Sequence, residues 1–476
     1  MMRPAAIVAS GAALILTACT VGPNYEPPVF EAPANWRTDI DDAAADADAV
    51  WWNAFEDPVL VSLVEEALRE NRDVRVAASR VEEFAARVGI VRSAAFPQID
   101  YDAAAGRSQI SREIGAGKTP GADHVSDFFN ANLNVGWEID LWGRIRRASE
   151  AARADVLAAE ENRRGVILTV VTAVANAYVG LRSLDEQLNI ARRRLETRAR
   201  TLELFELQFE KGVISQMEVA QVRTEYERTA ATIPAIERDI ALLENSLSVL
   251  LGRAPGPISR GRAISELTLP EIPAGLPSEL LRRRPDLRRN EQQLVAANAR
   301  IGEAIAGFYP RLALTGTLGR ASDELANLAD SSASLYEVAA GLAGPIFTAG
   351  RVQGGVDAAE AVQRQALDTY VQSILTAMRE TEDALVTLTT TRREIDAQGR
   401  QVAALRVYAE LADKRYGNGY VGYLEVLDAE RDLFDAELQH TRLRASLYAS
   451  VIGAYKAMGG GWISEAERIA DDGAGE

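Results

Sequence analysis

From Phe129 to Leu141 every second residue is apolar: Phe129, Ala131, Leu133, Val135, Trp137, Ile139 and Leu141. Between them stand Asn130, Asn132, Asn134, Gly136, Glu138 and Asp140. A period of two sustained over that length predicts a β-strand with one apolar and one polar face. Tyr101, Ala103 and Ala105 alternate with Asp100, Asp102 and Ala104. Leu312, Leu314 and Leu318 alternate with Arg311, Ala313, Thr315 and Thr317, and a fourth strand falls around Tyr336 to Ile346. The predicted strands cover about 96–107, 128–142, 309–320 and 335–347. A soluble sandwich edge would show the same alternation. Length and aromatics favour a membrane barrel, whose tilted strands need about 9–11 residues with aromatics at the rims. The second strand carries Phe128, Phe129, Trp137 and Trp142.

Elsewhere the period changes. Ile167, Val174, Leu181, Leu188, Leu195, Leu202 and Phe209 fall every seventh position, with no proline from Gly143 to Glu210. That is a heptad seam, and at 1.5 Å per residue the helix spans about 100 Å. Leu367, Ile374, Leu388, Ile395, Val402 and Tyr416 repeat it, interrupted by polar Thr381 and small Ala409. Each seam ends at a glycine corner, "KGVIS" from Lys211 and "NGYVG" from Asn418.

The chain is thus one unit written twice. Phe209 aligns with Tyr416, Gly212 with Gly419, Met217 with Leu424, Glu218 with Glu425 and Val219 with Val426. "NRDVRVAASRVEEFAARVG" from Asn71 aligns with "RPDLRRNEQQLVAANARIG" from Arg284. The first repeat covers 57–251 and the second 286–462, each reading helix, two strands and a long helical hairpin. Between them, 252–285 is broken by Pro255, Pro257, Pro270, Pro273 and Pro277; a tail, 463–476, follows. Four strands cannot close a barrel, and an open edge in lipid leaves backbone groups unpaired. Several chains must therefore share one.

The N-terminus adds an address. Arg3, an apolar run from Ala5 to Leu16 and "LTAC" ending at Cys19 read as a signal peptide over 1–18. Cys19 stands where cleavage would fall, at the end of a stretch that resembles a bacterial lipobox; the other reading is a plain signal peptide with an incidental cysteine. An extended, lipid-anchored segment, 19–56, would follow, with the Ala/Asp-rich stretch Asp39–Ala49 as a solvated linker.

Composition narrows the chemistry. A net charge of −17 argues against nucleic acid. One cysteine excludes a disulfide framework and a Cys/His zinc cluster. The two histidines, His124 and His440, form no catalytic pattern, and "GRVQGG" from Gly350 lacks the Lys and Ser/Thr of a phosphate loop. No enzyme, cofactor or metal is expected, the lipid on Cys19 apart.

Several stretches together resemble the TolC family of outer membrane factors, in its lipoprotein, NodT-like branch. They are "CTVGPNYEPP" (Cys19–Pro28), "WWNAFEDPVLVSLVEEAL" (Trp51–Leu68), "LPSELLRRRPDLR" (Leu276–Arg288), "AANARIGEAIAGFYP" (Ala296–Pro310) and "YLEVLDAERDL" (Tyr423–Leu433). The resemblance implies a mainly α fold with a transmembrane β-barrel. Three chains would each give four strands to a twelve-stranded barrel, continued by a long periplasmic helical barrel. It implies an outer membrane, lipid-anchored exit duct of a tripartite efflux system, working with a periplasmic adaptor and an inner-membrane transporter of RND or ABC type. Residues 252–285 would be its equatorial belt.

In such a trimer Tyr416, Leu424, Asp428 and Arg431 would form a periplasmic gate. Lys211, Gly212, Val213, Asn418, Gly419 and Tyr420 would be the tips on which the adaptor docks. A blander reading makes Leu424 seam packing, with Asp428 and Arg431 a surface pair. The first corner carries Gln221 where the second carries Asp428. Two alternatives remain: an outlet for type I protein secretion, and a non-conducting structural lipoprotein.

Overall fold

The structure, a computed structural model, describes residues 20–33, 35–38, 43–45, 50–111, 113, 124–270, 272–273, 280–459 and 462–472. The signal peptide and Cys19 lie outside these residues. The chain forms two compact units. One comprises 1–29, 81–159 and 290–370; the other comprises 30–80, 160–289 and 371–476.

The first unit holds the sheet. Its strands are β2 (Gln98–Gln109), β3 (Val125–Ile139), β5 (Arg311–Ser322) and β6 (Ser334–Ala343), all antiparallel, in the order β2-β3-β5-β6. The fourth strand stops at Ala343, earlier than its expected end, because Gly344 and Pro345 follow; proline cannot donate to the ladder. The register explains the alternation. Tyr101, Leu133, Leu318 and Tyr336 stand opposite one another in a single row, and all four are exposed. On the other face Asp100, Asn134, Thr317 and Glu337 make the matching polar row. On that face Asp102 accepts from Asn130, Asn132 and Asn134 at 3.1, 3.1 and 2.6 Å. A sheet that exposes tyrosine and leucine on one face and gathers its hydrogen-bonding side chains into a network on the other is built for lipid on one side and water on the other.

Thr20 to Asn24 are tied to the same unit. Val21 N–H donates to Trp142 O at 3.1 Å. The buried Arg147 guanidinium donates to Val21 O, Gly22 O and Asn24 Oδ1. Gly22 has φ +90° and lies so close to Gly302 that a Cβ would overlap it.

The second unit is helical. Its short elements are β1 (Ala43–Ala45), α1 (Pro58–Glu70), β4 (Ile272–Pro273), α5 (Leu280–Arg283) and α9 (Ile463–Asp472). The helices α2 (Arg72–Ser93), α3 (Arg144–Glu210), α6 (Pro285–Ile305) and α7 (Arg351–Gly417) run through both units; α4 (Gln216–Leu250) and α8 (Tyr423–Ala457) belong to the second. Its core gathers Trp51, Trp52, Phe55, Ile167, Val174, Tyr178, Leu181, Tyr455 and Trp462. Trp51 stacks on Tyr455 with centroids 5.6 Å apart, and Trp462 meets Trp52 edge-on at 5.2 Å.

Three expectations need correction here. Residues 463–476 are not simply a tail: Ile463, Ala466 and Ala470 are buried along α9, an apolar face at helical spacing. The segment 19–56 is not extended throughout, because Trp51–Phe55 forms a 3-10 turn that buries Trp51, Trp52 and Phe55. Ala43–Ala45 of the supposed linker pairs in parallel with Ile272–Pro273.

Candidate functional site: the hairpin corners

The two corners close by the same device. At the first, Gly212 N–H donates to Phe209 O and Val213 N–H to Gln208 O, both at 2.9 Å. At the second, Gly419 N–H donates to Tyr416 O at 2.8 Å and Tyr420 N–H to Arg415 O at 2.9 Å. These are Schellman motifs, and they need a left-handed residue just past the helix. Gly212 and Gly419 supply it, with φ of +71° and +74°. The helices that follow start differently. Ser215 and Glu218 form a reciprocal capping box, whereas Gly422 has no side chain to cap with and Glu425 pairs instead with Arg415 at 3.3 Å.

The corners present apolar side chains to solvent. Val213 is 71% exposed, Met217 68%, Tyr420 77% and Leu424 56%. Leu424, Asp428 and Arg431 share one face of α8; Val426 and Leu433 on the opposite side are buried, and Leu427, beside the exposed face, is buried against Phe205, Val219 and Val222. Asp428 pairs with Arg431 at 3.0 Å within α8, and Arg431 also reaches Asp432 at 3.3 Å. Tyr416 is set apart from them. Its ring packs edge-on against Tyr423 at 4.9 Å, and Tyr423 packs on Phe205 at 4.5 Å. Within the chain, Tyr423 therefore joins the two hairpins, and Tyr416 packs at the same junction.

Sequence reasoning missed a buried ionic cluster beside these corners. The buried column of α3 runs through Ala191, Arg198 and Phe205, three residues on from the Leu188–Leu195–Leu202 seam, which is half-buried. Arg198 is 3% exposed. It donates to Glu225 O at 2.7 Å and to Thr229 Oγ1, pairs with the Glu225 carboxylate at 3.2 Å, and lies over the Phe434 ring. Its Nε and Nη2 have no hydrogen-bond partner. Burial pulls the Arg198 pKa down, against the pull of Glu225 and Glu430. Burial pushes the Glu430 carboxyl up, against Arg194 and Arg198.

The comparisons with known proteins agree with this architecture. The outer membrane efflux protein family matches residues 63–253 and 276–460. The solvent efflux pump outer membrane protein SrpC of Pseudomonas putida is 34% identical over 459 residues, 95% of this chain and 97% of SrpC. The cation efflux system protein CusC of Escherichia coli K12 is 32% identical over 466 residues, 97% of this chain and all of CusC. The open-state structure of the MtrE outer membrane channel of Neisseria gonorrhoeae superimposes with a TM-score of 0.84 at 30% identity, covering 93% of this chain and 99% of MtrE. With both repeats matched, and with four-stranded sheet and paired hairpins in place, the chain belongs to the outer membrane efflux protein family and is an outer-membrane efflux channel.

Proposed function

We propose that the protein is the lipid-anchored exit duct of a tripartite pump, gated at the second hairpin corner and docked by a periplasmic adaptor at both. The observation that carries this is the pair of corners: one backbone geometry made twice, presenting exposed apolar side chains. In a trimer each corner recurs three times, so an adaptor ring would meet six similar tips. Leu424 and Asp428 are exposed on one face of α8, as gate residues must be if three copies are to converge there. The cargo is small molecules. SrpC and CusC are named for solvents and for cations, yet both align with this chain over nearly its whole length. Selection therefore belongs to the transporter rather than the duct. Cys19 is the anchor, and support comes from its neighbour: Thr20 packs against Gly143, at the end of β3, where an acyl chain would enter the membrane beside the sheet.

Two measurements test this reading. Cells bearing Cys19→Ser should lose labelling of the protein by radioactive palmitate; retained labelling rules out the anchor. Single cysteines at Lys211 or Asn418 should crosslink in cells to cysteines at the adaptor's tip. Crosslinks confined to 252–285 would move the docking site to that belt.

A further inference from the structure

In the sheet of the first unit, β2 and β6 are the outer strands, and neither has a second neighbouring strand among the described residues. The internal repeat says how such edges fit. Asn71 aligns with Arg284, an offset of 213, and that offset carries β2 (98–109) onto β5 (311–322) end for end. Gly212 aligns with Gly419, an offset of 207, and that offset carries residues 127–136 of β3 onto β6 (334–343). The two hairpins then share one register. Gln98 stands opposite Gly136, and the offsets turn that pair into Arg311 opposite Ala343, the pair observed. Between the hairpins, β3 lies beside β5, with Leu133 opposite Leu318 and Asn134 opposite Thr317. Applied to this joint, the offsets turn β3 into β6 and β5 into β2. Leu133 with Leu318 becomes Ala340 with Ala105, and Asn134 with Thr317 becomes Gly341 with Ala104. Within one chain β3 and β5 stand between β2 and β6, which puts the two edges about 15 Å apart. Such a pair forms only between chains.

We propose that β6 of one chain joins β2 of the next in this register, from Tyr336 opposite Gln109 to Ala343 opposite Asp102. The seam rests on the barrel shared by three chains, which by itself leaves open which residues meet. The side chains agree with it. Tyr336, Val338 and Leu342 are exposed and continue the apolar face of Tyr101 and Leu133. A slip of one residue would set them against Ser108, Gly106 and Asp102 of the polar face. Glu337 meets the Ser108 hydroxyl, and the middle of the seam is small on both strands: Ala339, Ala340 and Gly341 against Gly106, Ala105 and Ala104. The register also sets the width of the exit. Asp100 lies level with Asn134, Thr317 and Glu337, and the seam carries that row on to Ser108 of the next chain, eight residues along β2. Three chains then give a stagger of about 24 residues over twelve strands. With about 3.3 Å per residue and about 4.8 Å between strands, the barrel is about 30 Å across between backbones. A seam slipped to six residues per chain would narrow it by about 5 Å.

The test is disulfide crosslinking of the full-length protein in outer membranes, with a mild oxidant and a denaturing gel run without reductant. Two double variants carry the proposed pairs: Ala340→Cys with Ala105→Cys on the apolar face, and Gly341→Cys with Ala104→Cys on the polar face. Close and wide pairs alternate along an antiparallel ladder, so one of the two presents the closer Cβ atoms. Ala340→Cys with Ala103→Cys, and Ala340→Cys with Arg107→Cys, represent slips of two residues either way. Their Cβ atoms lie on a diagonal of about 7 Å, beyond the reach of a disulfide. Single variants account for Cys19, the one native cysteine. At least one proposed pair should give covalent trimer, about fivefold or more above either slipped pair. A slipped pair that links as well as the proposed ones overturns the register. Linkage from none of the four, in protein shown to be trimeric by native mass spectrometry, overturns the β6–β2 seam. A monomer in that spectrum removes the shared barrel itself, and the seam with it.

Discussion

At the residue scale, the informative positions are buried polar groups in an otherwise apolar frame. Asp57 is fully buried; it accepts from Val59 N–H at 2.9 Å, from Tyr178 Oη–H at 2.6 Å and from Arg262 N–H at 3.0 Å. It joins the start of α1 to α3 and to the segment around Arg262, and Gly261 must be glycine because a Cβ there would strike its carboxylate. The sequence marks Asp57 only as a helix cap before Pro58; its distant partners follow from tertiary packing. Arg198 was hidden for a different reason: a search for heptad apolars steps over a charge. Glu430, beside it, gives a pH prediction. A carboxyl whose folded pKa is raised opposes folding when ionised, so its contribution improves as pH falls through the folded pKa toward the unfolded value. Glu430→Gln should therefore raise the thermal midpoint at neutral pH and flatten the rise seen in wild type on mild acidification. A variant that melts lower at neutral pH, with the wild-type pH slope intact, would show that attraction to Arg194 and Arg198 outweighs burial.

At the element scale, the strands were legible because lipid on one side and water on the other force a strict period of two. Phe129 to Ile139 shows it without interruption. The corners were legible because only glycine adopts the left-handed region without strain. The α3 seam was only partly legible. An ideal helix drifts about 20° per heptad, so the buried column slides from Ile167, Val174 and Leu181 toward Ala191, Arg198 and Phe205. The end of the chain was misread because a short amphipathic helix with several acidic residues, such as Ile463–Asp472, looks like solvated tail until Trp462 is seen to be buried. The corner geometry carries its own prediction. Gly212→Ala and Gly419→Ala should each destabilise by about 1 kcal/mol, through strain at positive φ alone, since neither Cβ would meet a neighbour. Thermal unfolding should show similar losses at the two sites. A much larger loss at one would mean that its glycine serves more than the turn.

At the scale of the whole molecule, β2 and β6 are the outer strands of a four-stranded sheet, and three copies of four strands make twelve. Eight strands would be filled by side chains, whereas twelve leave a lumen. The Asp100–Asn134–Thr317–Glu337 row suits that lumen and the Tyr101–Leu133–Leu318–Tyr336 row suits lipid. What no single chain displays is the proposed aperture, because it needs three copies to bring Leu424 and Asp428 together. Replacing both has opposing effects. Removing clustered carboxylates relieves repulsion and favours closure. Removing Leu424 takes away an apolar constriction and favours opening, whereas the Asp428–Arg431 pair lies within α8 and its loss loosens no contact between chains. The most direct measurement is single-channel conductance of the purified trimer in planar bilayers. An efflux duct gated at the second corner gives discrete, small steps at rest, and much larger ones in Leu424→Ala with Asp428→Ala. No conductance from either protein, with the trimer shown to be intact by native mass spectrometry, would contradict the channel itself.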